Sequence, residues 1–210
     1  MPHAAFFSRL GLFSSSRFLD AEGCEAVRRE VRSATSTPSV VSEGADAYRL
    51  DQTVRRTLRA HVSAATVDRI RTRVTSLKPA IEAHFDLALG ACQDPQFLIY
   101  RAGDFFAPHA DAGDEPDEPD FIRRRAVSVV IFLSTESPTP GEASHSGGSL
   151  VFYGLLDDDR ARHRGLPLLA EEGLVVAFRS TLLHSVSAVT GGERLSIVSW
   201  FERAETAAAW

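Results

Sequence analysis

Two metal-capable side chains, His109 and Asp111, stand one residue apart at the end of the stretch Y-R-A-G-D-F-F-A-P-H-A-D, Tyr100 to Asp111. In an extended strand, residues i and i+2 share a face, so imidazole and carboxylate converge on one point. A bare His-x-Asp triplet is common on solvated surface; its context singles this one out. A strand-like run from Gln96 to Tyr100 precedes it, Gly103 interrupts, and Phe105 and Phe106 resume the apolar pattern. Far downstream, His184 in T-L-L-H-S-V offers a second imidazole. Two imidazoles and one carboxylate on one face hold a divalent metal and leave positions open on an octahedral ion. Such a set suits Fe(II), although Mn, Co or Ni would satisfy the geometry equally. Arg194 follows ten residues after His184, in E-R-L-S-I-V-S-W-F. Its planar fork of donors matches a carboxylate, which suits an acid-bearing ligand beside the metal. If Arg194 heads a strand and points inward, Ser196, Val198 and Trp200 share its face. The alternative is a local ion pair with Glu193 or Glu202.

These residues need a scaffold. From Phe18 to Ser33 the pattern predicts a helix, with Asp20 as N-cap and Cys24, Val27 and Val31 on its apolar face. Thr35 to Ser42 reads as a loop leading to a short strand. Residues 63 to 90 carry the strongest helical stripe: Val67, Ile70, Val74, Leu77, Ile81, Phe85 and Leu89. Pro79 must kink that helix or split it into two. His61 and His84, in the same region, read as surface or rim histidines. After Gln96 short strands are expected near 96–101, 105–111, 126–134, 148–153, 173–179, 182–189 and 194–202, which argues for a sandwich or barrel. The acidic run Ala112 to Asp120, followed by Arg123, Arg124 and Arg125, reads as a solvated loop placed to act as a lid. A second insertion, Leu155 to Leu166, contains an exposed His163. His145, in A-S-H-S-G-G, is a rival metal ligand without a carboxylate partner.

Ordered pieces of the chain, from about Phe18 to Phe201, resemble the 2-oxoglutarate- and Fe(II)-dependent dioxygenases, specifically their prolyl 4-hydroxylase-like branch. The pieces are F-L-D-A-E-G-C-E-A-V, the stretch Tyr100 to Asp111, R-A-V-S-V-V-I-F-L-S, G-G-S-L-V-F-Y and H-S-V-S-A-V-T-G-G-E-R-L-S-I-V-S-W-F. The resemblance implies a mainly β fold with N-terminal helices (α+β), a double-stranded β-helix or jelly-roll barrel. It implies an extension at 1–17 and one domain at 18–210, with helical support at 18–92 and the jelly-roll core at 96–202. Fe(II) would be held by His109, Asp111 and His184. The cosubstrate 2-oxoglutarate would be held by Arg194, with Tyr100 and Ser196 in the same pocket; Tyr100 alone would read as a core aromatic. O2 is the other reactant, and ascorbate a reductant. Arg125, Trp200 and Phe106 occupy substrate-binding positions. Two departures stand out: arginine at 194, where many prolyl 4-hydroxylases have lysine, and Phe106, where the family often has tyrosine. The implied reaction hydroxylates a C–H bond of a prolyl, amino-acid or other small-molecule or peptide substrate, yielding succinate and CO2. The competing reading is a non-catalytic jelly-roll module that binds or senses metal and 2-oxoglutarate.

Bulk properties exclude other classes. The chain has 210 residues and a net charge of -5, which argues against a nucleic-acid-binding face. No apolar run approaches the roughly 20 residues of a membrane helix, and the N-terminus is not expected to be a signal peptide. Two cysteines, Cys24 and Cys92, make no disulfide framework and fit a reducing cytoplasm. There is no G-x-S-x-G elbow to support a hydrolase.

Overall fold

The computed structural model describes residues 2–42, 48–113, 118–156 and 164–204. Its helices are α1 (Pro2–Arg9), α2 (Ala21–Ser33), α3 (Ala64–Thr75), α4 (Lys78–Phe85) and α5 (Asp120–Arg123). The first strands are β1 (Phe13–Ser15), β2 (Ser36–Pro38), β3 (Val41–Ser42), β4 (Tyr48–Arg49), β5 (Arg55–Arg56) and β6 (Leu58–Ala60). Then come β7 (Leu89–Cys92), β8 (Gln96–Tyr100), β9 (Phe105–His109), β10 (Arg125–Phe132), β11 (Thr135–Glu136) and β12 (Ser144–Gly147). The last six are β13 (Leu150–Phe152), β14 (Leu166–Leu168), β15 (Val175–Arg179), β16 (His184–Val186), β17 (Val189–Gly192) and β18 (Arg194–Arg203).

A large sheet runs β1-β15-β10-β18-β8-β6-β2, with β7 also on β18, and a second runs β14-β13-β16-β9-β5. Strand alternation gives the large sheet two working faces. Val127, Val129 and Ile131 of β10 and Leu195 and Ile197 of β18 pack outward against Cys24, Val27 and Val31 of α2 and Ile70 and Val74 of α3. The residues between them point inward: Val130 and Phe132 join Leu98, Tyr100 and Phe178 against Leu150, Phe152 and Val186 of the second sheet. Because β10 is covered on both sides, its apolar run is nearly continuous rather than alternating. Two sheets closed around an inner layer and backed by helices make a double-stranded β-helix, a jelly roll.

Local signals explain most boundaries. The Asp20 carboxylate accepts from Gly23 N–H at 2.8 Å and starts α2, a cap worth about 1 kcal/mol. Ser63 caps α3 in the same way. Pro79 divides the long helical stripe, but the second helix begins one residue earlier, at Lys78, with the proline in its first turn. Leu89, which fits that stripe, belongs instead to β7, because Asp86 ends α4 in a left-handed conformation (φ 49°). The loop expected at 35–42 contains β2 and β3, short strands whose polar composition conceals their pairing. Ahead of residue 18, β1 pairs antiparallel with β15, and Phe7 and Leu12 are buried. Residues 114–117 of the acidic stretch and 157–163 of the second insertion, with His163, lie outside the described residues. Asp120 to Arg123 form the helical turn α5 rather than loop. No helix among the described residues is long and apolar enough to cross a membrane.

Candidate metal and cosubstrate site

His109 closes β9 and His184 opens β16, and the two are direct cross-strand partners in the second sheet. Gly103, at φ 89°, supplies the turn that carries the chain from β8 into β9. Asp111 lies just past the strand end, where its N–H donates to Ser180 O at 2.8 Å. Its carboxylate reaches both rings: Oδ1 is 3.6 Å from His109 Nε2 and Oδ2 is 3.6 Å from His184 Nε2. Each imidazole Nδ1 sits 2.8 Å from a carbonyl two residues upstream, Ala107 O and Leu182 O respectively. A carbonyl only accepts, so Nδ1 carries the proton and each Nε2 presents a lone pair. Ser128 Oγ, from the inner face of β10, donates to Asp111 Oδ2 at 2.7 Å and fixes the carboxylate.

Three electron-rich atoms, within 4.8 Å of one another, thus converge. Both imidazole protons are committed elsewhere, and like dipoles face each other. Burial raises the Asp111 carboxyl, but the imidazoles of His184 and His109 and the Arg125 guanidinium outweigh it and hold it well below the usual carboxylate range. Burial, partly opposed by Asp111, pushes His184 down to about 4. A neutral imidazole beside an ionised carboxylate is the ligand state that a divalent cation requires. The donor set therefore fits a hard-to-intermediate metal with open positions.

Deeper in the same cavity, Arg194 is only 1% exposed. It pairs across the sheet with Tyr100, and its guanidinium lies 5.0 Å from the Tyr100 ring centroid and 5.4 Å from that of Phe132. Nη1 donates to Ser196 Oγ at 2.8 Å, while Nε has no partner. The local acids are otherwise engaged: Glu193 with Arg32 at 3.1 Å, and Glu202 with Arg124 at 2.8 Å. Glu136 acts only at longer range and accepts the Ser149 hydroxyl. Among the described residues Arg194 has no salt bridge, so its buried charge lacks a counter-ion. Gly148 makes room for it: a Cβ there would lie 3.0 Å from Arg194 Cδ, and its φ is 71°. His145, the rival ligand, lies outside the metal cluster. Its Nδ1 is 3.0 Å from Ser134 Oγ, and burial together with Arg194 pushes it down to about 4.

The remaining sequence-derived site residues line a cavity of about 720 Å³ that also holds the triad and Arg194. Arg125 stacks 3.7 Å over the Trp200 ring, donates to Asp111 O at 3.2 Å, and is steadied by Gln93 Oε1 at 3.1 Å. Phe106 stacks on the His109 imidazole, centroids 3.5 Å apart and planes 14° from parallel. Sequence reasoning missed Ser128, whose only signal is a polar residue inside an apolar strand. It also missed Arg55 and Arg59, because β5 and β6 are too short to show a period.

Comparison with known proteins bears on the family and the fold. The model of the 2OG-Fe(II) oxygenase superfamily matches residues 95–202. A PKHD-type hydroxylase of Psychrobacter sp. (strain PRwf-1) is 30% identical over 110 residues, covering 51% of this chain and 37% of that protein. One from Shewanella oneidensis is 32% identical over 108 residues, covering 51% and 42% respectively. The chain therefore spans less than half the length of these curated relatives. Among solved structures, a Pseudomonas putida prolyl-4-hydroxylase superposes with TM-score 0.67 at 24% identity, covering 97% of this chain and 98% of that one. HygX from Streptomyces hygroscopicus, with nickel, 2-oxoglutarate and hygromycin B bound, gives TM-score 0.63 at 14% identity, covering 96% and 86%.

Proposed function

The chain belongs to the 2OG-Fe(II) oxygenase superfamily, and on that premise we propose that it is a 2-oxoglutarate-dependent hydroxylase acting on a prolyl or other amino-acid substrate. One observation carries the reading. A buried guanidinium that has no salt bridge among the described residues shares a cavity with three converging lone-pair donors. Membership in the superfamily brings Fe(II), 2-oxoglutarate and O2 as the cofactor set, and ascorbate would serve as reductant. When bound, these supply oxidising power to insert one oxygen atom into a C–H bond, the other passing into succinate as CO2 leaves.

The chain's own residues do the rest. His109, Asp111 and His184 would hold the metal, their orientation set by carbonyls and by Ser128. Arg194, with Ser196 and Tyr100 beside it, would clamp the distal carboxylate of 2-oxoglutarate and so fix its reach toward the metal. The apolar walls Leu98, Val130, Leu150 and Val186 keep water from that channel. Arg125, Trp200 and Phe106, which line the same cavity, would position the substrate. We further propose that the domain expected at 18–210 also takes in β1 and the residues packed ahead of it, and that it works in a reducing compartment such as the cytoplasm, where the thiols of Cys24 and Cys92 remain free.

The deciding experiment is 2-oxoglutarate turnover with Fe(II) and ascorbate, reading succinate and the hydroxylated product by mass spectrometry over amino-acid and prolyl-peptide substrates. Substrate-dependent succinate is expected. A protein that binds both metal and 2-oxoglutarate yet yields neither product would be the non-catalytic module. A smaller test concerns Ser128. Replacing an outer-shell partner of a ligand typically costs about 10–100-fold in metal affinity, so Ser128→Ala should weaken Fe(II) by about that factor while the fold persists. Unaltered affinity would mean that the Ser128 hydroxyl does not orient Asp111.

A further inference from the structure

Beyond the metal, the cavity continues over the large sheet toward its β6–β2 edge. Ser196 of β18, Leu98 of β8, Arg59 of β6 and Thr37 of β2 form one cross-strand row. At about 4.8 Å per strand, Arg59 lies about 10 Å from Ser196 along that row. His61 follows on the same face and touches Thr37 Oγ1 through Nε2 at 3.0 Å. The opposite wall carries Arg55. The chain crosses from one sheet to the other between β5 and β6 at Thr57, which is buried and donates to Ile99 O at 2.9 Å. Arg55 thus lies against β9, with its guanidinium 4.6 Å over the Phe106 ring. Its Nε is buried without a partner.

Two arginines on facing walls, four residues apart, line one end of the cavity. Neither makes a salt bridge among the described residues. The acid nearest to that role, Asp104, shares a smaller cleft with Arg55 but accepts from Arg101 N–H at 2.8 Å instead. Glu118, the only acid besides Asp111 among the described residues lining the cavity, accepts from Gly113 N–H at 3.1 Å. In a chain of net charge -5, this end of the cavity is cationic.

The geometry points to a substrate that carries a carboxylate, held between Arg55 and Arg59 while the carbon to be hydroxylated faces the metal. This rests on the hydroxylase reading above and narrows its substrate class. Guanidinium forks match such oxyanions in plane and charge, and the stack on Phe106 holds one fork in place before the ligand arrives. Because Phe106 also stacks on His109, the anion site and the metal site share one aromatic side chain.

The test uses the full chain loaded with Ni(II) and 2-oxoglutarate, which blocks turnover; formation of that loaded state is measured first by titration. Calorimetry then compares N-acetylated amino acids as free acids and as amides. A second arm compares blocked prolyl peptides that carry glutamate or glutamine beside the proline. The first arm reads a small-molecule carboxylate, the second a side-chain carboxylate. In at least one arm the acid should bind at least tenfold more tightly than its neutral partner. Arg55→Gln with Arg59→Gln should erase that difference and leave 2-oxoglutarate affinity unchanged. Equal or absent binding of acid and neutral forms in both arms, or a preference that survives the double substitution, overturns the proposal. Failure of the wild-type chain to take up Ni(II) and 2-oxoglutarate would instead overturn the hydroxylase reading.

Discussion

Asp111→Ala is expected to remove high-affinity Fe(II) binding, weakening it by at least about 100-fold. Outer-shell partners alone are worth about 10–100-fold, and Asp111 supplies the only negative charge among the three converging donors. The two imidazoles that remain are neutral and held by their Nδ1 protons to Ala107 and Leu182 carbonyls. They would keep their place without closing a site. The fold should survive. The Asp111 backbone N–H still donates to Ser180 O, an interaction that the substitution leaves in place. Anaerobic Fe(II) titration monitored by calorimetry gives the affinity, and circular dichroism checks the fold. Retention of wild-type affinity and stoichiometry would sink the assignment of the triad.

Arg194→Met should separate cosubstrate binding from metal binding. Methionine keeps much of the stem volume between Tyr100 and Phe132 but removes the fork. Hydrogen bonds to charged groups contribute about 1.5–3 kcal/mol, and about 1.4 kcal/mol is already a factor of ten. The 2-oxoglutarate affinity of the metal-loaded protein should therefore fall by at least about tenfold, with Fe(II) affinity unchanged. Arg194→Lys should keep part of the affinity, since the charge remains but the bidentate geometry does not. The unliganded protein offers an independent sign. A buried guanidinium without a counter-ion is costly, and exchanging it for an apolar side chain is neutral or stabilising. So Arg194→Met should leave the melting temperature of the ligand-free form unchanged or raised. The charge-transfer absorbance of the Fe(II)–2-oxoglutarate chelate reports the affinity. Wild-type affinity in Arg194→Met would place the anchor elsewhere.

The large pieces of this arrangement were legible because periodicity and chemistry coincide there. β8, β9, β10, β15 and β18 announce themselves through apolar runs, and two helices through caps and stripes. The inward parity of Arg194, Ser196 and Trp200 followed from counting residues along one strand. What was hidden has a common cause. β2 through β6 are two or three residues long, so no window contains a full alternation, and their register depends on partners distant in the chain. Ser128 was hidden for a different reason: a hydroxyl inside an apolar strand looks like noise until Asp111 is seen beside it. Leu89 misled because a helical stripe can run past a helix end when the next strand buries the same residue type.

The division of β18 into inward and outward positions reaches beyond this one site. Ten consecutive residues carry two interleaved messages: Arg194, Ser196 and Trp200 line the cavity, whereas Leu195, Ile197 and Phe201 pack toward the helices. Because the two sets point away from each other, each meets a different set of neighbours. A replacement at an even position therefore changes the cavity lining, and one at an odd position changes the packing against the helices. The same layout has one vulnerability, which is length rather than identity. Inserting or deleting a single residue would exchange the two messages and turn the guanidinium toward the helices and the leucine toward the cavity. Diversity in this strand is thus open to replacement and closed to insertion.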